Sequence, residues 1–157
     1  MFRLVVILIT VGFSAQAAAD RLYLGALSEH PFADPRYEFN EAHRLIAYER
    51  HNWVAGYFDN SYDEDTFLAG RKFSAHLGAF EFSAIVGASY GYRDCVKGRD
   101  WPVNHRRVCP VAIPAVTYTG LETQLNARPT LMMAGEAVVL TVSVDPARIV
   151  DAIKRGL

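Results

Sequence analysis

Leu77-Gly-Ala-Phe80-Glu-Phe82-Ser-Ala84-Ile-Val86-Gly-Ala88-Ser-Tyr90-Gly-Tyr92 is the stretch that decides how this chain folds. Phe80, Phe82, Ala84, Val86, Ala88, Tyr90 and Tyr92 share one parity; Leu77, Ala79, Glu81, Ser83, Ile85, Gly87 and Ser89 share the other. One set is wholly apolar and aromatic, the other small and mixed. A helix would scatter the two sets around its circumference, whereas a strand, whose side chains alternate sides, keeps them apart. The spacing therefore predicts one long strand, bent at Gly87.

Strand-like patterns of the same kind cover Leu22–Glu29, Arg44–Arg50, Trp53–Asn60, Phe67–Ser74, Pro110–Thr119, Leu121–Arg128 and Met133–Val144, which makes eight strands with Leu77–Tyr92. Short turn-forming stretches separate neighbours: His51-Asn52, Ser61–Thr66, Ala75-His76, Gly120 and Pro129-Thr130. Short links imply antiparallel neighbours. A meander of this size removes its exposed edges by closing on itself. The expected fold is all-β: an eight-stranded antiparallel up-and-down β-barrel spanning residues 20–145, followed by a short C-terminal helix in 146–157. Asp145 as cap, Pro146 at the first helical position, and Ile149, Val150 and Ile153 on one face make that helix amphipathic.

The start of the chain predicts export. Met1-Phe2-Arg3 is positively charged, Leu4 to Phe13 is apolar apart from Thr10 and Gly12, and the small residues Ser14-Ala-Gln-Ala-Ala-Ala19 follow. Residues 1–19 read as a signal peptide cleaved after Ala17 or Ala19. The apolar run is roughly half the ~20 residues a spanning helix needs. A mature chain entering a membrane would do so as a barrel, because every backbone polar group in lipid must be paired. Composition agrees: 51% of residues are hydrophobic, and 16 Lys+Arg against 17 Asp+Glu give a formal net charge of −1. That balance provides no basic field to neutralise phosphates, so nucleic acid is not an expected partner.

Cys95 and Cys109 are the two cysteines. In an exported chain an even count favours a disulfide, here closing the polar, basic and turn-rich stretch Val96–Val108. Cys95, His105 and Cys109 lack the fourth ligand of a zinc site, and no metal or cofactor is expected. The direction of the apolar face separates two kinds of barrel. Outward, with aromatic girdles, it meets lipid in an outer membrane; inward, it surrounds a ligand in a soluble, calycin-like periplasmic barrel. Arg71, Lys72 and Arg128, within or at the ends of predicted strands, leave that choice open.

His30 and His43 flank the first long connection, and either could be a general base. His51, His76 and His105 sit in turns or the stapled loop and receive no role. Ser61 lies where a strand leaves its ladder, in Gly56-Tyr-Phe-Asp-Asn-Ser-Tyr62. Its hydroxyl could act as a nucleophile given a histidine within reach, or simply take part in Asn-Ser turn chemistry. Asp63, Glu64 and Asp65 lack the spacing of a calcium loop and read as a solvated tip.

His30, Phe39-Asn40-Glu41, Phe58-Asp59-Asn60-Ser61-Tyr62, Leu68-Ala69-Gly70, Ile85-Val86-Gly87-Ala88 and Pro110-Val-Ala-Ile-Pro114 with Val116–Gly120 follow in an order that resembles the outer-membrane lipid A palmitoyltransferase barrels. The likeness covers residues 25–130. It implies an eight-stranded barrel that moves a palmitoyl chain from a phospholipid to lipid A and holds the chain in its interior. By the resemblance, the family's histidine falls on His30, its serine on Ser61 and its aspartate on Asn60. An amide cannot stabilise an imidazolium as a carboxylate does. Either Asp59 or Glu41 substitutes, or acyl transfer is lost; Asp59 and Asn60 point to opposite faces of a strand. The expected reactive pair is His30 and Ser61, positioned by Asn60 and Glu41. The expected setting is the outer membrane, with phospholipid or lipid A as partner and a monomeric barrel. The alternatives are a non-enzymatic structural or lipid-binding barrel, and the soluble periplasmic form.

Overall fold

Alternating sequences pair into ladders, and here the ladders close. A computed structural model describes residues 20–31, 36, 38–92, 95 and 108–156. The proposed signal peptide, His105 and most of the Val96–Val108 stretch lie outside them. Eight strands, β1 (Arg21–Glu29), β2 (Ala42–Arg50), β3 (Trp53–Asp59), β4 (Asp65–Leu77), β5 (Phe80–Tyr90), β6 (Val108–Tyr118), β7 (Arg128–Ala134) and β8 (Ala137–Val144), pair antiparallel in chain order, and β8 returns to β1. The protein is an eight-stranded up-and-down barrel with a short C-terminal helix.

Two of the expected strand assignments are corrected. Leu121–Arg128 contains a one-turn helix, α1 (Glu122–Leu125), ended by Asn126 in the left-handed region at φ 51°. Met133–Val144 holds a hairpin, because Gly135 at φ 62° turns the chain and separates β7 from β8. Pro129-Thr130, read as a turn, lies inside β7. The β4–β5 reversal sits at Gly78-Ala79 and not at Ala75-His76, for Gly78 takes the φ of 58° that its neighbours would resist.

The apolar face points outward. In β5, Phe82 is 46% and Val86 50% exposed, whereas Ile85 and Glu81 are 4% and 3%. This excludes the barrel with its apolar face turned in. Outward aromatics gather in two bands. Phe67 and Tyr90 lie at the end with the connections 30–41, 60–64, 91–107 and 135–136; Tyr48, Trp53, Phe73, Phe80 and Tyr118 lie toward the other end. Leu, Ile, Val and Met side chains lie between. Arg71 faces outward among them, its guanidinium 5.9 Å from the ring centres of both Trp53 and Phe73.

Inside, the end where β1 begins and β8 ends is filled with charge. Lys72 Nζ lies 2.8 Å from Glu49 and 2.8 Å from Glu81; Tyr23 donates to Glu49 at 2.6 Å. Arg128 reaches Glu122 at 2.5 Å and Glu81 at 3.5 Å, and Arg21 also pairs with Glu122. Three cations thus face three carboxylates, so burial leaves no net charge. Two of the predicted strand cations, Lys72 and Arg128, belong to this network. Above it, Tyr23, Ala47, Val54 and Ile85 pack with Leu45, Ile113 and Met132. Beyond them the wall thins to Gly56, Gly70 and Gly87, and Gly70 pairs with Gly87 across β4–β5.

Two seams are incomplete. The β6–β7 ladder is confined to Ala115↔Met132, Val116↔Leu131 and Thr117↔Thr130, and Pro110 and Pro114 in β6 bring no N–H to any ladder. The β2–β3 ladder stops at Ile46↔Tyr57, although both strands run on toward the loop end.

Cys95 and Cys109 are bonded, with Cα atoms 5.1 Å apart, which fastens the long β5–β6 connection to the wall at Ser89↔Cys109. At the opposite end, Asp145 caps helix α2 (Pro146–Lys154) by accepting from Ala147 N at 2.9 Å. Asn126 holds the Asp145 backbone at both its N–H and its carbonyl. Ile149, Val150 and Ile153 are exposed.

Removing one side of the buried network should be severe. Lys72→Met keeps the packing volume but leaves Glu49 and Glu81 without their shared cation. Urea unfolding is expected to show a loss of about 3–5 kcal/mol. A change under ~1 kcal/mol would mean that water, not Lys72, balances those carboxylates.

Candidate active site

β1 runs toward the loop end with Arg21 and Tyr23 inward. Between Leu24 and Ala26 its register shifts against both β2 and β8, with Gly25 at φ 62° and its carbonyl accepting from Thr141 Oγ1 at 2.7 Å. Such a bulge re-aims the side chains beyond it. Ala26 and Ser28 now face in, and Leu27 faces out at 62% exposure. His30 continues the inward series at the rim.

On the facing rim, β3 ends at Asp59 and a tight turn succeeds it. Asn60 is buried, and its side-chain carbonyl accepts from Tyr62 N at 2.9 Å and Glu64 N at 3.1 Å, while its amide donates to Thr66 Oγ1 at 3.1 Å. This is the asparagine's ordinary work in a turn, and it leaves the amide no hydrogen bond to the imidazole. Asn60 positions Ser61 through the backbone. Asp59 turns to the other face, where Arg44 grips its carboxylate at 2.6 and 3.0 Å.

The predicted pair converges. His30 Nε2 lies 2.7 Å from Ser61 Oγ, joining residues 31 positions apart. For Ser61 Oγ–H to donate, Nε2 must be bare and the ring proton must sit on Nδ1. That Nδ1 is buried and has no hydrogen-bond partner. The Glu41 side chain is exposed; its main-chain carbonyl accepts from Ser28 N at 2.8 Å. Its charge acts on His30 through space and not by a hydrogen bond to Nδ1. The pair is thus a dyad: a hydroxyl beside a neutral base, with no carboxylate bonded behind the base.

Two residues without an assigned role complete the geometry. Phe39 stacks on the His30 ring, centres 4.3 Å apart and planes 15° apart, and meets Tyr62 edge-on. Asn40 N donates to the Ser61 carbonyl at 3.0 Å, fastening the first connection to the turn. Both sit in the Phe39-Asn40-Glu41 run, but nothing in residue spacing separates a stacking aromatic from any other loop aromatic. Glu38, Phe39, Asn40, Ser61, Tyr62 and Asp63 line an open cleft of about 480 Å³. Ser61 thus contributes to the wall of an opening large enough to admit a substrate group. His51 occupies the β2–β3 turn and His76 lies 3.8 Å from Glu81, so neither joins the site. Among the described residues no group of three or more metal-ligating side chains converges.

Burial first, and the neighbouring His43 second, push the His30 pKa below its ordinary value; Glu41, Glu136 and Glu29 oppose this without reversing it. The neutral, proton-accepting form is thereby favoured. Compared with family profiles and with curated proteins, the chain matches none; the chemistry rests on this geometry.

The direction of that shift fixes a pH dependence. Labelling of Ser61 by an alkyl fluorophosphonate needs bare Nε2 and should rise through an apparent pKa below the ordinary 6.5, staying level above it. A midpoint at or above 7 would remove His30 as the base. Folding stability linked to this histidine has the matching sign. The unfolded chain takes up its proton first, so that stability is lost as the pH falls below 6.5.

Proposed function

We propose that this protein is an exported outer-membrane barrel in which Ser61 and His30 transfer an acyl chain from a phospholipid, with lipid A as the acceptor. The observation that carries the reading is the 2.7 Å approach of Ser61 Oγ to His30 Nε2 beside an open cleft. Four features support the setting. The outward face is apolar between two aromatic bands, as outer-membrane barrels require. The two longest connections, 30–41 and 91–107, join strands at the dyad's end, which in such barrels faces the cell exterior, and β1 begins and β8 ends at the other. The exposed apolar face of α2 suits the membrane–water boundary. The Cys95–Cys109 bond fits an oxidising compartment.

In the proposed reaction His30 takes the Ser61 proton as Oγ attacks the ester carbonyl carbon. The ester C–O bond then breaks, the acyl group stays on Ser61, and His30 returns the proton to the departing alcohol. An acceptor hydroxyl reverses the sequence and carries the acyl group away. Lacking a hydrogen-bonded carboxylate, His30 stabilises its imidazolium less well than a full triad does, so slow turnover is expected. The interior beneath the dyad has Gly56, Gly70 and Gly87 in its wall and the described charge network at the far end, and we read it as the seat of the acyl chain. The short β6–β7 ladder offers that chain sideways entry.

Lipid A from cells expressing the protein is expected to gain one acyl chain by mass spectrometry, and Ser61→Ala and His30→Ala should each abolish the gain. The barrel should fractionate with the outer membrane and need detergent for release. Folded barrel with no added chain would leave the non-enzymatic reading. Release without detergent would overturn the membrane setting.

A further inference from the structure

β2 and β3 stop pairing at Ile46↔Tyr57, yet β3 continues to Asp59 and carries Ser61 two residues later. A splayed strand end would leave the nucleophile loosely held. Two side chains of β2 close the gap from its two faces. Outside, Arg44 holds the Asp59 carboxylate. Inside, His43 Nδ1 lies 2.6 Å from the Asp59 main-chain carbonyl, taking the acceptor that the ladder has left behind.

The same ring reaches the other half of the dyad. His43 Nε2 lies 2.8 Å from Ser28 Oγ on β1. Ser28 is 4% exposed, so this hydroxyl is enclosed by protein. A carbonyl can only accept, so Nδ1 must carry a proton; in the neutral ring Nε2 is then bare and accepts from Ser28. One imidazole therefore bridges β1 and β3. Its anchor points stand two residues before the reactive groups on each side: Ser28 before His30, and Asp59 before Ser61. Each anchor fixes the chain direction just ahead of a reactive group.

We propose that His43 is the positioning residue that sets the distance between His30 and Ser61. It touches neither reactive atom, and its role is to hold β1 and β3 at one spacing. The inference rests on Ser61 being the nucleophile proposed above, but the clamp is a statement about His43 that can be tested without it.

Imidazole ¹⁵N NMR of the wild-type barrel is expected to show His43 as a single Nδ1–H tautomer. The Nε2–H tautomer, or averaging between the two, would overturn the clamp whatever Ser61 does. An alkyl fluorophosphonate then reads the consequence: Ser61 Oγ bonds to phosphorus, fluoride leaves and His30 takes the proton. His43→Leu should lower the maximal labelling rate at least tenfold with the half-saturating probe concentration unchanged. His43→Gln, whose amide offers one donor and one acceptor, should recover most of that rate, and Ser28→Ala should lose only a few-fold. Equal labelling of His43→Leu and wild type, a loss confined to probe affinity, or a glutamine variant as slow as leucine would each overturn the proposal. Should His43→Leu fail to fold, the glutamine and alanine variants and the tautomer decide. If Ser61→Ala is labelled like wild type, the proposed nucleophile falls, and the NMR result still decides the clamp.

Discussion

Closing eight strands into a ring satisfies the backbone and leaves every strand side chain two destinations, in or out. The outward destination takes the aromatics and aliphatics, so the inward one receives much of the chain's polarity. A narrow interior tolerates charge only when it is balanced. Arg21, Lys72 and Arg128 against Glu49, Glu81 and Glu122 meet that condition at one end of the barrel. The other end carries smaller residues, Ser28, Thr66, Gly70, Gly87 and Ser89 among them. The interior is thereby divided into a charged floor and an upper part of small, uncharged side chains among the described residues, and the dyad stands at the rim of the upper part.

The rim is also where the ladders weaken, and side chains replace them. His43 and Arg44 hold Asp59, Asn40 holds the Ser61 carbonyl, and Asn60 ties its own turn together. A reactive pair built on strand ends can be more exact than one on free loops, provided such cross-links exist. These links act on both faces of β3 and on the turn that follows it, so the site is braced from several directions.

How much of this is legible in the sequence depends on range. Period-two alternation in Phe80–Tyr90 and its neighbours is a local signal, and it yields the barrel; the count of eight comes out only because a helix read as a strand offsets a hairpin read as one strand. Leu121–Arg128 misleads because a four-residue helix is too short to show a period. Its Glu122 is held by Arg21, 101 positions away, and by Arg128. Met133–Val144 hides its hairpin because apolar residues run up to Gly135 and resume just after it. The His30–Ser61 pair is reached through resemblance in chain order; parity counted from Tyr23 would have turned Leu27 and Glu29 inward instead. His43 could be suspected as a base, but its link to the Asp59 carbonyl depends on where a ladder ends, which no local pattern records.

Gly25 carries a consequence beyond its turn of backbone. A β-strand is a two-letter code in which odd and even positions spell opposite surfaces, and an irregularity acts on it as a frameshift. Before Gly25 the odd residues of β1 read as interior; after it the even ones do. The chemistry at the rim is thus set by counting, and a strand that keeps its composition but loses one residue of phase would spell a different protein.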